Sequence, residues 1–201
     1  LSQFTDAMSP TNFFLTNPEA MQLAQETGGQ SVVEGMRLFY EDLAKGRISM
    51  TDENAFEVGK NLAVTPGQVV YENELIQLIQ YTPSTEKVHK RPLVMIPACI
   101  NKFYILDLQP ENSFAAYAVS QGYQVFMVSW RNITPELGSL TWDDYLEKGV
   151  IQAIDVALDI TGADRANTLG FCVGGTILSS ALGVLAARGE QKAASMTLLT
   201  T

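Results

Sequence analysis

The chain has 201 residues, of which 46% are apolar and 17% are charged, and its 15 glycines follow no period. This composition excludes a disordered or collagen-like chain and predicts a globular protein with a sizeable core. The formal net charge of -9 excludes a general nucleic-acid binder, and the sequence lacks the run of about 18 uncharged apolar residues that predicts a membrane-spanning helix.

The first 46 residues carry a helical pattern and no strand signal. Asn17 before a proline predicts the start of one helix, and Gly28 can end that helix because glycine readily adopts a positive φ. Apolar residues then recur every three or four positions from 32 to 43, which predicts an amphipathic helix that ends at Gly46.

From residue 67 onward, short apolar strands alternate with helices. Strands are predicted at 69–71, 75–81, 93–97, 124–130, 167–171 and 195–200, and helices at 113–121, from about 141 and at 175–189. Alternation of this kind predicts an α/β protein with a mostly parallel sheet and helices on both faces, while the first two strands form an antiparallel hairpin at one edge.

The predicted organisation has two parts. Residues 1–66 form a helical preface, and residues 67–201 form the first part of an α/β core. The last strand opens a further strand–helix unit that the sequence does not continue. We therefore expect the core to be truncated after the strand that follows the helix at 175–189.

The segment GFCVGG around Cys172 lies between a predicted strand and a predicted helix. It matches the nucleophile elbow G-x-S-x-G of α/β hydrolases, with Cys172 in place of serine. The positive end of the helix dipole favours the thiolate, so Cys172 is the predicted nucleophile. The backbone N–H of Val173, with that of Cys99 or Ile100, would form the oxyanion hole, and the sequence does not choose between the last two.

Other chemistry-bearing residues are assigned structural roles. Cys99 lacks a glycine frame and is predicted to be a packed or loop thiol. His89, the only histidine, precedes the nucleophile instead of following it, and is predicted to be a surface residue. Asp143 and Asp144 are predicted to stabilise the N-terminus of their helix. The cysteines show neither a disulfide framework nor a zinc spacing, so we predict no metal site.

At this point the sequence resembles a known family. The segments PACINKFYILDLQPENS, VFMVSWRN, TWDDYL and LGFCVGGTI, in that order, are similar to the catalytic domain of class I polyhydroxyalkanoate synthases. The segments SPTNFFLTNPEA and TDENAFEVGKNLAVTPGQVV extend the resemblance over nearly the whole chain. Phe171 and Val173 beside the cysteine are more similar to class I than to classes II and III.

The resemblance implies an α/β-hydrolase fold and an acyltransferase that polymerises (R)-3-hydroxyacyl-CoA, mainly short-chain, into polyester and releases CoA. It implies that Cys172 is the covalent nucleophile and that the CoA thioester is a substrate, with no separate cofactor. It also implies a cytoplasmic homodimer at the surface of polyester granules. The family's catalytic Asp and His fall in a C-terminal half that is absent from this sequence, so we expect this chain alone to be inactive.

The chemistry of cysteine favours the same function, because thiolate attack on a thioester keeps enough driving force to acylate a hydroxyl. Two other classes stay open. A cysteine-type α/β hydrolase, such as a thioesterase or a dienelactone-hydrolase-like enzyme, would share the elbow. A non-catalytic, granule-associated interaction protein would keep the apolar helix face at 32–43.

Overall fold

The computed structural model describes residues 2–201, and the chain divides into two compact units at Ala55 and Phe56. The first unit is helical. It contains α1 (Ser2–Ala7), two 3-10 turns (Pro10–Asn12 and Phe14–Thr16), α2 (Pro18–Glu26) and α3 (Gln30–Lys45).

The predicted helix boundaries of the first unit are confirmed. The side chain of Asn17 accepts hydrogen bonds from the backbone N–H groups of Glu19 and Ala20, at 3.0 and 3.2 Å, and so caps α2. Gly28 has a φ of 58°, and Gly46 has a φ of 69° at the end of α3. Each glycine adopts the left-handed conformation that other residues rarely take, which ends the helix before it.

The second unit alternates strands and helices. Its strands are β1 (Gly67–Glu72), β2 (Ile76–Tyr81), β3 (Leu93–Ile96), β4 (Val125–Trp130), β5 (Ala166–Phe171) and β6 (Ala193–Leu199). Its helices are α4 (Phe114–Ser120), α5 (Trp142–Asp144), a π-helical stretch (Tyr145–Ile151), α6 (Gln152–Thr161) and α7 (Val173–Ala187), with 3-10 turns at Phe103–Leu106, Pro110–Asn112 and Pro135–Leu137.

The six strands form one sheet in the order β1-β2-β4-β3-β5-β6. Strands β4, β3, β5 and β6 are parallel, whereas β1 and β2 form an antiparallel hairpin whose second strand runs antiparallel to β4. The predicted mostly parallel sheet with a hairpin at one edge is confirmed. Because parallel strands end at the same edge, the residues that follow β3, β4 and β5 are brought together there.

Helices cover both faces of the sheet. Val94 and Phe126 pack in one buried cluster with residues of α6 and α7, whereas Met95 and Met127 pack in a second cluster with residues of α4. Successive side chains of a strand point to opposite faces, so neighbouring residues of β3 and β4 enter different clusters. Both faces of the central strands are therefore buried, as the apolar runs predict.

The helix predicted from about residue 141 departs from regular α geometry. Tyr145–Ile151 is π-helical and lies between α5 and α6. Within it, the backbone of Gly149 packs directly on the indole of Trp130, where a Cβ at 149 would lie 2.6 Å from two ring carbons. The apolar period does not show this distortion, because the distortion coincides with a contact between distant parts of the chain.

The segment before β1 belongs to the second unit and is bonded to its residue Asp107. The N–H of Ala63 donates to the backbone oxygen of Asp107 at 3.1 Å, and the hydroxyl of Thr65 donates to the Asp107 carboxylate at 2.5 Å. Along the chain the division between the compact units falls between Ala55 and Phe56, while the domain boundary between 66 and 67 stays a prediction. None of the helices over residues 2–201 is long and apolar enough to cross a bilayer.

Candidate active site

Cys172 is the single residue between β5 and α7 and has a strained backbone. Its φ is 54° and its ψ is -131°, a conformation that residues other than glycine rarely adopt. Its N–H donates to the oxygen of Leu199 at 2.9 Å, and its own oxygen accepts from the N–H of Gly175 at 2.8 Å. Strand β6 and the first turn of α7 thus hold the turn, which has the strand–turn–helix form of a nucleophile elbow.

The glycines around Cys172 allow α7 to contact the sheet at backbone distance. A Cβ on Gly170 would lie 2.4 Å from the Cα of Gly175. A Cβ on Gly174 would lie 2.1 Å from the backbone oxygen of Ile96 and 2.6 Å from the carbonyl carbon of Pro97. These atoms belong to the backbone and cannot move aside, so only glycine fits at both positions.

The first turn of α7 offers an open hydrogen-bond donor. Val173 is the first residue of the helix, so its N–H has no partner in the preceding turn. No protein acceptor for this N–H, or for those of Cys99 and Ile100, is found among residues 2–201. All three lie at the carboxyl edge of the parallel strands, where an oxyanion would need donors.

The loop after β3 carries the two candidate second donors. Cys99 is half-buried and packs against the core, whereas Ile100 is 74% exposed. Burial raises the pKa of the Cys99 thiol, and its own backbone N–H lowers it to a smaller extent. The choice between the amides of Cys99 and Ile100 stays open.

Trp130, which the sequence reasoning does not single out, fixes the start of this loop. Its indole N–H donates to the backbone oxygen of Pro97 at 2.8 Å in a buried hydrogen bond. The ring of Tyr145 lies 5.4 Å from the indole, and Gly149 packs on it. In the sequence, this role could have been suggested by a tryptophan at the end of a buried strand, because a buried indole N–H needs an acceptor.

Asp107 is a second residue that the sequence reasoning overlooks. It is 2% exposed, and its carboxylate accepts hydrogen bonds from the hydroxyls of Thr65 (2.5 Å), Ser113 (2.6 Å) and Tyr81 (3.1 Å). Burial, and to a smaller extent the charge of Asp107, raises the pKa of Tyr81 well above its usual range. This network ties the end of the loop after β3 to β2 and to the start of α4. In the sequence, the only local indication that Asp107 is buried is its position directly after the apolar run at 103–106.

His89 lies away from Cys172 and its neighbours. It is exposed, and its backbone N–H donates to the backbone oxygen of Gly122 at 2.8 Å. Its imidazole ring lies 4.8 Å from the ring of Tyr123. It precedes β3 and so lies at the amino edge of the parallel strands, opposite to Cys172. The predicted surface position of His89 is confirmed.

Asp144 stabilises the N-terminus of its helix, as predicted. Its carboxylate accepts from the N–H of Thr141 at 2.8 Å and from the Thr141 hydroxyl at 2.9 Å. The backbone N–H of Thr141, followed by the ammonium group of Lys148, lowers the pKa of Asp144 to about 2. Within the described residues, His, Cys, Asp and Glu side chains form no group of three or more that could bind a metal ion.

Comparison with known proteins shows the family to which this chain belongs. Residues 1–118 match the family described as the N-terminus of poly-beta-hydroxybutyrate polymerase (PhaC), and residues 91–201 match the alpha/beta hydrolase fold. The poly(3-hydroxyalkanoate) polymerase subunit PhaC of Cupriavidus necator is 62% identical over 201 residues, which are 100% of this chain and 34% of that protein. The subunit of the same name from Rhizobium meliloti is 43% identical over 203 residues, covering 99% of this chain and 33% of that protein.

A solved structure is similar at much lower identity. A probable hydrolytic enzyme from Pseudomonas aeruginosa PAO1 is 12% identical, with a TM-score of 0.49, over 69% of this chain and 42% of that one. The chain spans about a third of the length of the curated relatives named above. The match over residues 1–118 and the identity over the whole chain show that this protein, which has an α/β-hydrolase fold, belongs to the PhaC family of poly(3-hydroxyalkanoate) polymerases.

Proposed function

We propose that this chain is the nucleophile-bearing part of a class I polyhydroxyalkanoate synthase. The complete enzyme polymerises (R)-3-hydroxyacyl-CoA, mainly short-chain, into polyester and releases CoA. One observation carries the proposal: Cys172 occupies a strained elbow in a chain that is 62% identical to a polymerase subunit. A cysteine in this conformation presents its sulfur at the carboxyl edge of the sheet, beside open backbone donors.

The first half-reaction transfers the acyl group to Cys172. The thiolate attacks the carbonyl carbon of the CoA thioester, and the resulting oxyanion accepts hydrogen bonds from the N–H of Val173 and that of Cys99 or Ile100. The bond between the carbonyl carbon and the CoA sulfur then breaks. CoA leaves as a thiolate that takes up a proton, and the acyl group remains on Cys172 as a new thioester.

The second half-reaction forms the ester. The 3-hydroxyl oxygen of another acyl unit attacks the carbonyl carbon of acyl-Cys172, the carbon–sulfur bond breaks, and the hydroxyl proton passes to a general base. His89 lies at the opposite edge of the sheet. We propose that the catalytic His and Asp come from the part of the full-length polymerase outside residues 1–201, and that this chain alone does not turn over.

The remaining features of the proposal follow the family. The complete protein acts as a cytoplasmic homodimer at the surface of the growing polyester granule, and it needs no cofactor besides its CoA thioester substrate. The names of the relatives, which call them polymerase subunits, support the product class. The apolar product gives the protein a reason to stay at a granule surface, because an elongating polyester chain separates from water.

The test follows CoA release and the fate of the acyl group together in the full-length protein. With (R)-3-hydroxybutyryl-CoA we expect a lag, then CoA release with formation of insoluble polyester, because the first turnovers must prime a chain. The Cys172→Ala variant should form no acyl-enzyme with radiolabelled substrate. Cys172→Ser should lose polymer formation, because a serine ester no longer retains the driving force of a thioester.

Other outcomes select the alternatives. Stoichiometric release of soluble 3-hydroxybutyrate without polymer would identify a thioesterase, which needs no priming because water is its acceptor. No CoA release from a folded, full-length protein would favour the granule-associated interaction protein. Steady CoA release from residues 1–201 alone would contradict the proposal that the base lies elsewhere.

A further inference from the structure

Some of the lysine and arginine side chains form ion pairs with carboxylates, and others do not. The chain has 13 such residues, all within the described part, and eight of them lie within 4.0 Å of a carboxylate oxygen. Among residues 2–201, five form no ion pair: Lys87, Lys90, Lys102, Arg131 and Arg165.

The five unpaired cations fall at opposite edges of the sheet. Lys87 and Lys90 precede β3, and Arg165 directly precedes β5, so these three lie at the amino edge. Lys102 lies in the loop after β3, and Arg131 is the first residue after β4. Lys102 and Arg131 therefore share the carboxyl edge with Cys172.

The loops that carry Lys102 and Arg131 contact each other. The ammonium group of Lys102 donates to the side-chain oxygen of Asn132 at 2.5 Å, and Asn132 directly follows Arg131. Lys102, Arg131 and Asn132 are all exposed. Two solvent-exposed cations thus lie in contacting loops on the edge of the sheet that carries the nucleophile, with the guanidinium group of Arg131 directed toward Glu74.

Arg131 forms no ion pair with Glu74 or Glu136, the two acidic residues with which it interacts. A guanidinium N–H of Arg131 donates to the backbone oxygen of Glu74 at 3.5 Å, while the Glu74 carboxylate pairs with Lys148. The hydroxyl of Thr134, then the backbone N–H of Glu136, and least the charge of Arg131 lower the pKa of Glu136. Glu136 is close enough to feel the charge of Arg131 without forming an ion pair with it.

We propose that Lys102 and Arg131 bind the phosphate groups of the CoA moiety while the thioester lies at Cys172; this rests on the proposed function. The guanidinium group can bind phosphate oxygens in a bidentate manner, and the ammonium group acts as a compact charge. Strand β4 is the second strand from β5, roughly 10 Å away at the usual strand spacing. The phosphates lie at the far end of the pantetheine arm from the thioester, so their partners belong at the rim of the site.

The charge of these 201 residues favours a local cationic site for an anionic ligand. The chain has a net charge of -9, which repels a ligand with several phosphate charges. Two unpaired cations at the carboxyl edge add a positive contribution to the potential there. The unpaired cations at the amino edge cannot serve this role, because the sheet separates them from Cys172.

The test compares two thioesters in the full-length protein. (R)-3-hydroxybutyryl-CoA carries the phosphates, and (R)-3-hydroxybutyryl-pantetheine carries none. The Lys102→Ala/Arg131→Ala variant should raise KM for the CoA thioester about tenfold, with kcat and the KM for the pantetheine thioester unchanged. In the native protein KM for the CoA thioester should rise with added KCl, and this dependence should weaken in the variant.

The matched control is Lys90→Ala/Arg165→Ala, which removes the same charge from the opposite edge and should leave both KM values unchanged. An unchanged KM for the CoA thioester in the Lys102/Arg131 variant would overturn the proposal. So would an equal rise for both thioesters, since that would show a disturbed loop instead of a lost phosphate contact. The single variants Lys102→Gln and Arg131→Gln provide the same comparison if the double variant does not fold.

Binding of free CoA, measured by calorimetry, separates failure of this proposal from failure of the proposed function. A native protein that consumes neither thioester but binds CoA, with binding weakened about tenfold in the Lys102/Arg131 variant, would refute polymerisation and support the phosphate site. Equal CoA affinity in the two proteins, or no affinity in the native protein, would refute the phosphate site.

Discussion

Substitution of Gly174 by alanine tests whether the elbow depends on backbone contact between α7 and β3. The added Cβ would lie 2.1 Å from the oxygen of Ile96 and 2.6 Å from the carbonyl carbon and oxygen of Pro97. Overpacking of this kind costs about 1–3 kcal/mol and sometimes more. Alanine recovers about 1 kcal/mol of helix propensity. Because the clashing atoms are all backbone, we place the cost at the upper end and expect a net loss of about 2 kcal/mol in the free energy of unfolding.

Gly183→Ala provides the matched control in the same helix. Gly183 is an exposed glycine of α7, and nothing lies within 4 Å of a Cβ built on it. The same chemical change should therefore stabilise the protein by roughly 0.5–1 kcal/mol. The two substitutions are expected to change stability in opposite directions, although both replace glycine by alanine in the same helix.

The assay is unfolding of the full-length protein, followed by circular dichroism against temperature and urea. Gly174→Ala should lower the midpoint, and Gly183→Ala should raise it. CoA release at a temperature where both variants are folded gives a second readout, because separation of α7 from β3 displaces Cys172. A Gly174→Ala protein as stable as the native one, or two variants that shift in the same direction, would refute the packing described for the elbow.

Three further predictions concern side chains around the site. Iodoacetamide at neutral pH should label Cys172 faster than Cys99 in the full-length protein, because burial raises the pKa of Cys99 and leaves less thiolate there; faster labelling of Cys99 in a mass-spectrometric time course would contradict this. Trp130→Phe should cost about 1–3 kcal/mol of unfolding free energy, because the buried oxygen of Pro97 loses its donor, and an unchanged urea midpoint would show that water or another group replaces the indole. The pKa of Asp144 is lowered in the folded state to about 2 from an ordinary 3.8, so its stabilising contribution should be present above pH 4 and lost as the pH falls through 2; a stability difference between native and Asp144→Ala proteins that stays constant from pH 6 to pH 2 would argue against it.

Local features of the second unit could be predicted because short-range rules govern them. The alternation of apolar strands with helices, the capping pair at Thr141 and Asp144 and the turn at Cys172 each depend on residues a few positions apart. The elbow is the strongest case. Its glycine spacing follows from the steric demands of one strand–turn–helix unit, so the unusual φ of Cys172 can be expected from six consecutive residues.

The rest of the site depends on contacts between distant segments. Trp130 bonds to Pro97 across 33 residues, and Thr65 bonds to Asp107 across 42. No periodicity encodes such pairs, because they form only when the folded sheet brings distant segments together. The π-helical distortion at Gly149 has the same origin, since it coincides with packing against the indole.

What the sequence determines therefore depends on short-range interactions, and what the tertiary structure decides depends on long-range ones. The amino-acid sequence determines the order and type of the strands and helices and which residue sits at the strained turn, because backbone sterics and capping act locally. Only the tertiary structure decides that His89 faces the opposite edge from Cys172, that Asp107 is buried under three hydroxyls and that Lys102 meets the loop after β4. These outcomes follow from strand order, and strand order is selected by the burial of both faces of the sheet at once.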